Sequence, residues 1–85
     1  MNIEFHPDVF KQLQQLPRPA FTAALRTIVS LTDQPRPVGA VKLAGGGNDW
    51  RIRIGEYRIV YEINDDAQTV TVFRVAHRRE VYRDL

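Results

Sequence analysis

The sequence predicts an α+β fold in which an N-terminal strand, a two-helix hairpin and an antiparallel three-stranded meander form one sheet, with the helices packed on one face. Three patterns lead to this prediction. Apolar residues alternate at the N-terminus, recur at helical spacing over residues 7–31, and alternate again in three segments after residue 49. A chain of 85 residues buries only a modest core. We therefore expect a single domain spanning residues 1–85.

The first strand and the first helix are predicted from the segment NIEFHPDVF, residues 2–10. Ile3 and Phe5 alternate with polar residues, as in a strand that is buried on one side. Pro7 ends this strand, and its fixed φ suits the first turn of a helix that ends near Pro17. The apolar residues at helical spacing are Val9, Phe10, Leu13 and Leu16. This pattern is typical of a helix that covers a core.

A second helix is predicted to begin near Pro19. Its apolar face consists of Phe21, Leu25, Ile28 and Leu31. The next segment, TDQPRPVGAVKLAGGGND, is rich in proline and glycine and indicates a connector with a brief extended piece at residues 41–43. Its three consecutive glycines lack the lysine and hydroxyl spacing of a phosphate-binding loop, and a strand rather than a helix follows them.

The meander is predicted to contain strands at residues 50–54, 57–64 and 69–76. Gly55 and Glu56 form the first turn, because glycine adopts the positive φ that a two-residue hairpin turn requires at its first central position. The resulting register pairs Ile54 with Tyr57, Ile52 with Ile59, and Trp50 with Tyr61. These pairs form an apolar face that the two helices can cover.

The opposite face of the meander is predicted to be rich in arginine. The register places Arg51 opposite Val60 and Arg53 opposite Arg58. In the last strand, alternation puts Arg74 and Arg78 on one face. It puts Phe73 and Val75 on the other face, toward the core. Like charges that face each other destabilise a sheet, so neutralising either member of a facing pair should stabilise the free protein. The cluster therefore predicts an anionic partner. The alternative is a surface screened by ion pairs with Glu56 and Glu62.

Composition restricts the classes of partner and compartment. The net charge is only +2, but both lysines precede residue 51 whereas seven of the ten arginines lie from Arg51 onward. Forked guanidinium donors suit phosphate or carboxylate, although a solvated charged face would give the same composition. There is no cysteine, and the sequence shows neither a secretory signal nor a stretch of about 20 apolar residues. We expect a cytoplasmic protein without disulfides, metal or cofactor, and without membrane contact.

The segments WRIRIGEYRIVYEI and VAHRREVY resemble the RelE toxins of the RelE/ParE superfamily, which are the ribonuclease partners of type II toxin–antitoxin pairs. The resemblance covers nearly the whole chain. It implies the same RelE-like order of elements and the cleavage of messenger RNA in the ribosomal decoding site without a metal. The family's functional residues match this chain at Arg51, Arg53, Arg58, Arg78 and Tyr82. The best-known members carry lysines where this chain has Arg51 and Arg53.

The resemblance also implies a cognate antitoxin, messenger RNA and the ribosome as partners. We expect Arg74, Arg79 and Lys42 to contact the substrate beside the catalytic set. Two alternatives remain open at this point. One is a non-enzymatic inhibitor of DNA gyrase similar to the ParE branch, which generally lacks this arginine set. The other is an inactive module that only binds antitoxin.

The chemistry of RNA cleavage assigns different roles to these residues. Arginines suit the stabilisation of charge on the phosphorus centre, but their pKa above about 12 makes them weak bases at neutral pH. Histidine is the residue type whose unperturbed pKa lies near neutrality, and His77 is our candidate for accepting the 2′-hydroxyl proton. Its alternative role is that of a strand-end histidine bonded to backbone, and regular alternation would point it toward the core side. Tyr82 can stack on a base or share in proton transfer.

Overall fold

The computed structural model of the chain describes residues 1–45 and 47–80. Its elements are β1 (Asn2–Phe5), α1 (Pro7–Gln14), α2 (Arg18–Ser30), β2 (Val41–Lys42), β3 (Asp49–Ile54), β4 (Tyr57–Asn64) and β5 (Thr69–His77). The predicted order of strand, two helices and meander is confirmed. α1 ends at Gln14 rather than near Pro17, and α2 begins at Arg18 rather than near Pro19. Pro17 is the N-cap of α2, so the second helix begins directly after it.

The strands form a five-stranded sheet in the order β1-β5-β4-β3-β2. The meander is antiparallel, and β2 extends it beyond β3. β1 pairs with β5 in parallel, from Asn2 opposite Thr69 to Phe5 opposite Val72. This parallel pairing was not predicted from the sequence. Parallel strands need a long connection between them, and the helices and the meander between β1 and β5 provide one.

The predicted hairpin register is confirmed at every pair. Ile54 lies opposite Tyr57, Ile52 opposite Ile59, Trp50 opposite Tyr61, Arg51 opposite Val60, and Arg53 opposite Arg58. Gly55 begins the turn with a φ of +60°, a value that side chains with a Cβ rarely adopt. The glycine therefore fixes which residues of β3 and β4 share a face.

We call the sheet face that packs on α1 and α2 the helix side, and the opposite face the arginine side. The helix side carries Ile52, Ile59 and Val75, and the arginine side carries Arg53, Arg58 and Ala76. The main core also contains Val9, Leu13, Ala24, Ile28, Leu31, Tyr61, Ile63, Val70 and Val72. The predicted covering of one sheet face by both helices is confirmed.

Phe10 does not join this core, contrary to the prediction from helical spacing. Its side chain is 54% exposed, and its ring packs against Phe5 with the centroids 5.4 Å apart. Val9 and Leu13 already occupy the buried face of α1. Phe10 follows Val9 by about 100° around the helix axis, which turns it toward the edge of the sheet.

Phe73 also departs from its predicted place in the core. The pairing of β4 with β5 shifts between Val60 and Tyr61, so that Val60 lies opposite Arg74 but Tyr61 lies opposite Val72. Phe73 is therefore the extra residue of a β-bulge. Its ring packs on the arginine side against Val60 and Ala76, while Val75 keeps its predicted place in the core.

The connector between α2 and β2 is tied to the sheet at two points. The Tyr61 hydroxyl donates a hydrogen bond of 2.7 Å to the Pro35 carbonyl oxygen. Arg36 donates two hydrogen bonds, of 3.3 and 2.8 Å, to the Asp65 carboxylate, and its guanidinium lies 5.4 Å from the centroid of the Trp50 ring. A segment that the sequence predicts as a connector is thus held by side chains of β3 and β4 and of the turn after β4.

Candidate functional site

Arg53 and Arg58 form the centre of the candidate site at the hairpin end of the arginine side. They lie directly opposite each other on β3 and β4. Arg53 Nε donates to the Gly55 carbonyl oxygen at 3.1 Å, and Arg58 Nη1 lies 3.4 Å from the same oxygen. The turn that sets the register therefore also supplies an acceptor shared by the two guanidinium groups.

The two arginines differ in their exposure to solvent. Arg53 is exposed, whereas only 6% of Arg58 is accessible. Arg58 Nη1 also donates to the Tyr57 carbonyl oxygen at 3.1 Å. Burying a guanidinium is costly unless acceptors surround it, and these backbone carbonyls supply part of that compensation. Arg58 is consequently a fixed positive charge, which needs little reorganisation to meet an anion.

Arg51 and Arg74 extend the basic region across the sheet. Arg51 is half-buried on β3, with Val41 of β2 on one side and Val60 of β4 on the other. Arg74 lies opposite Val60 on β5, and its Nη2 contacts the Glu80 carbonyl oxygen at 3.5 Å. The prediction that these side chains share the face of Arg53 and Arg58 agrees with the pairing.

Arg78 reaches the same end of the sheet from the chain that follows β5. Its backbone N–H donates to the Glu56 carbonyl oxygen at 2.9 Å, and its Nε lies 3.1 Å from Glu56 Oε2. Glu56 belongs to the turn that also contains Gly55. Of the two carboxylates considered as screening partners, Glu56 thus pairs with an arginine of the set, but with Arg78 rather than with the Arg53–Arg58 pair.

The opposite end of the arginine side is acidic. Asp49 lies directly opposite Glu62, and Glu62 in turn lies opposite Thr71. Glu62 is four residues from Arg58 along β4, so the two charges are separated by about 13 Å. The face therefore changes from basic to acidic along the strands, and an anionic ligand is favoured only at the hairpin end.

A small apolar cluster lies beside the arginines and was missed in the sequence. Val60 is fully buried on the arginine side and packs with Ala76, and Leu43 and Phe73 lie against them. The apolar residue Val60 opposite an arginine was visible in the predicted register, but the contribution of Phe73 depends on the bulge. A ligand on this face would meet apolar surface next to the positive charges.

His77 lies away from the arginine side. It is paired with Tyr57 at the end of β5, and the two rings meet edge to face with centroids 5.6 Å apart. His77 Nδ1 accepts a hydrogen bond of 3.3 Å from the Arg79 backbone N–H. A cleft of about 370 Å³ at the end of β5 is lined by both rings and by Gln12 and Leu16 of the α1 region, and Arg74 and Glu80 also line it. This geometry favours the strand-end, backbone-bonded role.

The remaining predicted residues are divided between the two faces. Lys42 lies opposite Trp50, which packs on the main core, so it does not join the arginine side. Arg79 is exposed in the helical segment, residues 78–80, that directly follows β5. Tyr82 lies outside the described residues. Among residues 1–45 and 47–80, no three histidine, cysteine or acidic side chains cluster closely enough to hold a metal ion.

Comparison with known proteins establishes the family. Residues 3–82 match the model of a family described as the ParE toxin of the type II toxin–antitoxin system parDE. The chain belongs to this superfamily of toxins. It is 31% identical to the toxin RelG of Mycobacterium tuberculosis over 83 residues, which cover 95% of this chain and 94% of RelG. The protein is thus a RelE-type member of the RelE/ParE superfamily and a toxin of the type II class.

Solved structures of superfamily members share this fold. The archaeal RelE–RelB complex from Pyrococcus horikoshii OT3 aligns with a TM-score of 0.81 and 28% identity, covering 91% of this chain and 93% of that one. The isolated E. coli RelE toxin aligns with a TM-score of 0.78 and 25% identity, covering 98% and 92% of the two chains. Within the part of this toxin that the structure describes, no helix has the length and apolar character needed to cross a membrane.

Proposed function

We propose that this type II toxin is an endoribonuclease that cleaves messenger RNA on the ribosome, in the cytoplasm, and thereby inhibits translation. The observation that carries this proposal is the placement of Arg53 opposite Arg58, with both guanidinium groups directed at one turn carbonyl. A pair of like charges costs stability in the free protein. Its placement is explained if a phosphate occupies the basic end of the face.

The arginines suit one step of RNA cleavage in particular. Attack of the 2′-hydroxyl on phosphorus builds negative charge on the phosphate oxygens, and fixed cations lower the energy of that state. Arg58 is fixed by burial and by backbone acceptors, whereas Arg53 and Arg78 present more exposed guanidinium groups. We therefore assign charge stabilisation to these residues, with Arg51 and Arg74 binding the flanking phosphates.

The proton acceptor is a separate question. Arginine is a weak base at neutral pH. His77 lies on the helix side with its Nδ1 engaged by the Arg79 N–H, and the other histidine, His6, accepts from the Asp8 N–H at the start of α1. The described arginine side thus supplies cations but no histidine. We assign the proton transfer to a group other than His77, and Tyr82 and the ribosomal RNA are the groups to test first.

A cognate antitoxin is the expected protein partner. The structures of the P. horikoshii and M. tuberculosis relatives are complexes of toxin with antitoxin. The basic end of the arginine side would bind an acidic segment by the same donors that bind phosphate. Co-expression with each neighbouring reading frame tests this partner: the cognate frame should restore growth and co-purify with the toxin.

The decisive test is primer-extension mapping of transcripts shortly after the toxin is induced. Cleavage on the ribosome predicts new 5′ ends with the phase of the reading frame. The same mapping with Arg53→Gln, at equal protein level, should lose these ends. Intact transcripts after growth has stopped would contradict the ribonuclease proposal.

A second candidate function is inhibition of DNA gyrase, because the matching family model is the one described for ParE. Gyrase inhibition predicts intact transcripts and stalled replication. Supercoiling assays with purified gyrase and toxin would detect it directly. The arginine set at the hairpin favours the ribonuclease.

A further inference from the structure

We propose that Glu56 is a positioning residue, whose carboxylate orients the Arg78 guanidinium toward the RNA phosphate. This inference rests on the proposed ribonuclease function. The sequence alone predicts for Glu56 only a place in the β3–β4 turn and a charge that could screen the arginines. The structure gives it two distinct contacts with one arginine of the candidate site.

The first contact fixes the backbone of Arg78. Its N–H donates to the Glu56 carbonyl oxygen at 2.9 Å, which ties the chain after β5 to the β3–β4 turn. The Arg79 N–H donates to His77 Nδ1 at 3.3 Å and holds the next peptide. Arg78 therefore leaves the sheet from a defined position beside the Arg53–Arg58 pair.

The second contact fixes the direction of the side chain. Arg78 Nε lies 3.1 Å from Glu56 Oε2, and the two side chains remain 47% and 57% exposed. A guanidinium carries five N–H donors in a rigid plane, so holding Nε orients the outer nitrogens as well. The exposure of Arg78 leaves room for a phosphate to approach those outer nitrogens.

An exposed ion pair contributes little to stability, so Glu56 has to be judged by its effect on catalysis. Its negative charge also opposes the approach of RNA. The two effects separate in kinetics. Loss of an orienting contact lowers kcat, whereas loss of a repelling charge lowers KM and leaves kcat unchanged. The measured combination therefore distinguishes a positioning residue from a carboxylate that only screens.

The test is single-turnover and steady-state cleavage of a short messenger on programmed ribosomes. Glu56→Gln should lower kcat by about three- to tenfold while KM stays equal or falls. Glu56→Asp should recover part of kcat. The matched control is Asp66→Asn, which removes one exposed carboxylate at the opposite end of the sheet and should leave kcat unchanged. A lowered KM with unchanged kcat in Glu56→Gln would overturn the proposal.

A double-mutant cycle links the effect to Arg78. In an Arg78→Gln background, Glu56→Gln should produce no further loss of kcat, because the group that it orients is absent. Full additivity of the two losses would also overturn the proposal. Thermal melts of each variant separate these effects from unfolding.

A readout without RNA separates this inference from the proposed function. The Arg78 Nε–H resonance, assigned by its loss in Arg78→Gln, should exchange slowly with water in the wild type and faster in Glu56→Gln, with Asp66→Asn unchanged. If the wild type fails to cleave RNA, the ribonuclease proposal fails, and this resonance still reports whether Glu56 holds Arg78. An equal exchange rate in wild type and Glu56→Gln would refute the positioning role by itself.

Discussion

Arg53 and Arg58 face each other across the β3–β4 hairpin and approach the same Gly55 carbonyl oxygen, yet only Arg58 is buried. The pair thus combines an exposed charge with a fixed one. Repulsion alone predicts that removing either charge stabilises the free toxin. Burial changes that expectation for Arg58, and the two variants should differ in sign.

Arg53→Gln should stabilise the free toxin and inactivate it. Removing the exposed charge relieves a cross-strand repulsion of about 0.2–1 kcal/mol. Losing a cation beside the developing phosphate charge should slow cleavage by at least about tenfold, equivalent to about 1.4 kcal/mol. Thermal melts at low and high salt, together with ribosome-bound cleavage, measure both effects. A variant that melts lower than the wild type and cleaves normally would make Arg53 a structural residue.

Arg58→Gln should destabilise the toxin as well as inactivate it. Arg58 is 6% exposed, and its guanidinium donates to the Tyr57 carbonyl oxygen at 3.1 Å. Removing a buried donor and leaving its part-buried acceptors without a partner costs about 1–3 kcal/mol, which exceeds the repulsion that is relieved. Urea unfolding at neutral pH measures the loss. Equal stability of this variant and Arg53→Gln would show that burial of Arg58 carries no energetic weight.

His77→Asn should retain most activity, whereas His77→Ala should lower it. Asparagine offers a side-chain oxygen in place of Nδ1 as the acceptor for the Arg79 N–H, and alanine offers none. A general base at His77 would instead make both variants inactive and would remove an acidic limb near the ordinary histidine pKa of about 6.5 from the rate profile. Cleavage rates of the wild type and both variants, measured from about pH 5 to about pH 8 so that the range brackets that pKa, separate these outcomes.

Tyr61→Phe should remove a stability change at high pH. Burial raises the pKa of Tyr61 to about 12 from its ordinary value of 10.0, with the nearby Arg36 charge opposing the rise. The neutral phenol is favoured in the folded state, so its contribution is complete below pH 10 and is lost as pH rises toward 12. Unfolding titrations from pH 8 to 11, a range of about three units around the ordinary pKa, should show a steeper decline for the wild type.

The same variant should be less stable than the wild type at neutral pH by about 1 kcal/mol, because the Pro35 carbonyl oxygen loses its hydrogen bond. A high-pH decline that is unchanged in Tyr61→Phe would assign the effect to another group. The neutral-pH comparison also reports how firmly the connector is held.

Asp65→Asn should lower the melting temperature at neutral pH but not in acid. The hydrogen bond from Arg36 holds the pKa of the Asp65 carboxyl below its ordinary value of 3.8. The ionised form is favoured in the folded state, so its contribution is present above pH 3.8 and is lost as pH falls below that value. Melts at neutral and acidic pH measure the difference, and Asp66→Asn should match the wild type at both.

Much of the fold follows from local pattern. The period-two alternation and the glycine turn define the β3–β4 register, since slipping by one residue would exchange the two faces. Helical spacing locates α1 and α2 but assigns too many residues to their buried faces. Phe10 is the example, because it is exposed although the spacing assigns it to the core. The parallel pairing of β1 with β5 depends on how the chain returns in space, and no local pattern encodes it.

The sequence predicts which arginines share one face of the sheet, but not how buried each arginine is or which groups it contacts. Sequence placed Arg53 opposite Arg58 and on the same face as Arg74, and the pairing agrees. It did not indicate that Arg58 is buried or that Glu56 binds Arg78, because both depend on contacts between the turn and distant strands. Regular alternation did indicate that His77 points toward the helix side, and the structure places it there.

The bulge at Phe73 lets β5 contain one more residue than β4 while the residues on either side of it keep their faces of the sheet. β5 has nine residues and β4 has eight, and the additional residue of β5 is absorbed between Val72 and Arg74. Deleting Phe73 would leave Val72 and Val75 inward and Arg74 outward, since a regular ladder would then join them. Losing one residue at this point would therefore keep Arg74 and Val75 on their present faces, whereas an insertion between Thr69 and Val72 without a second bulge would reverse the residues on one side of it. The bulge thus places the Phe73 ring beside the arginines without changing the face of any other residue of β5.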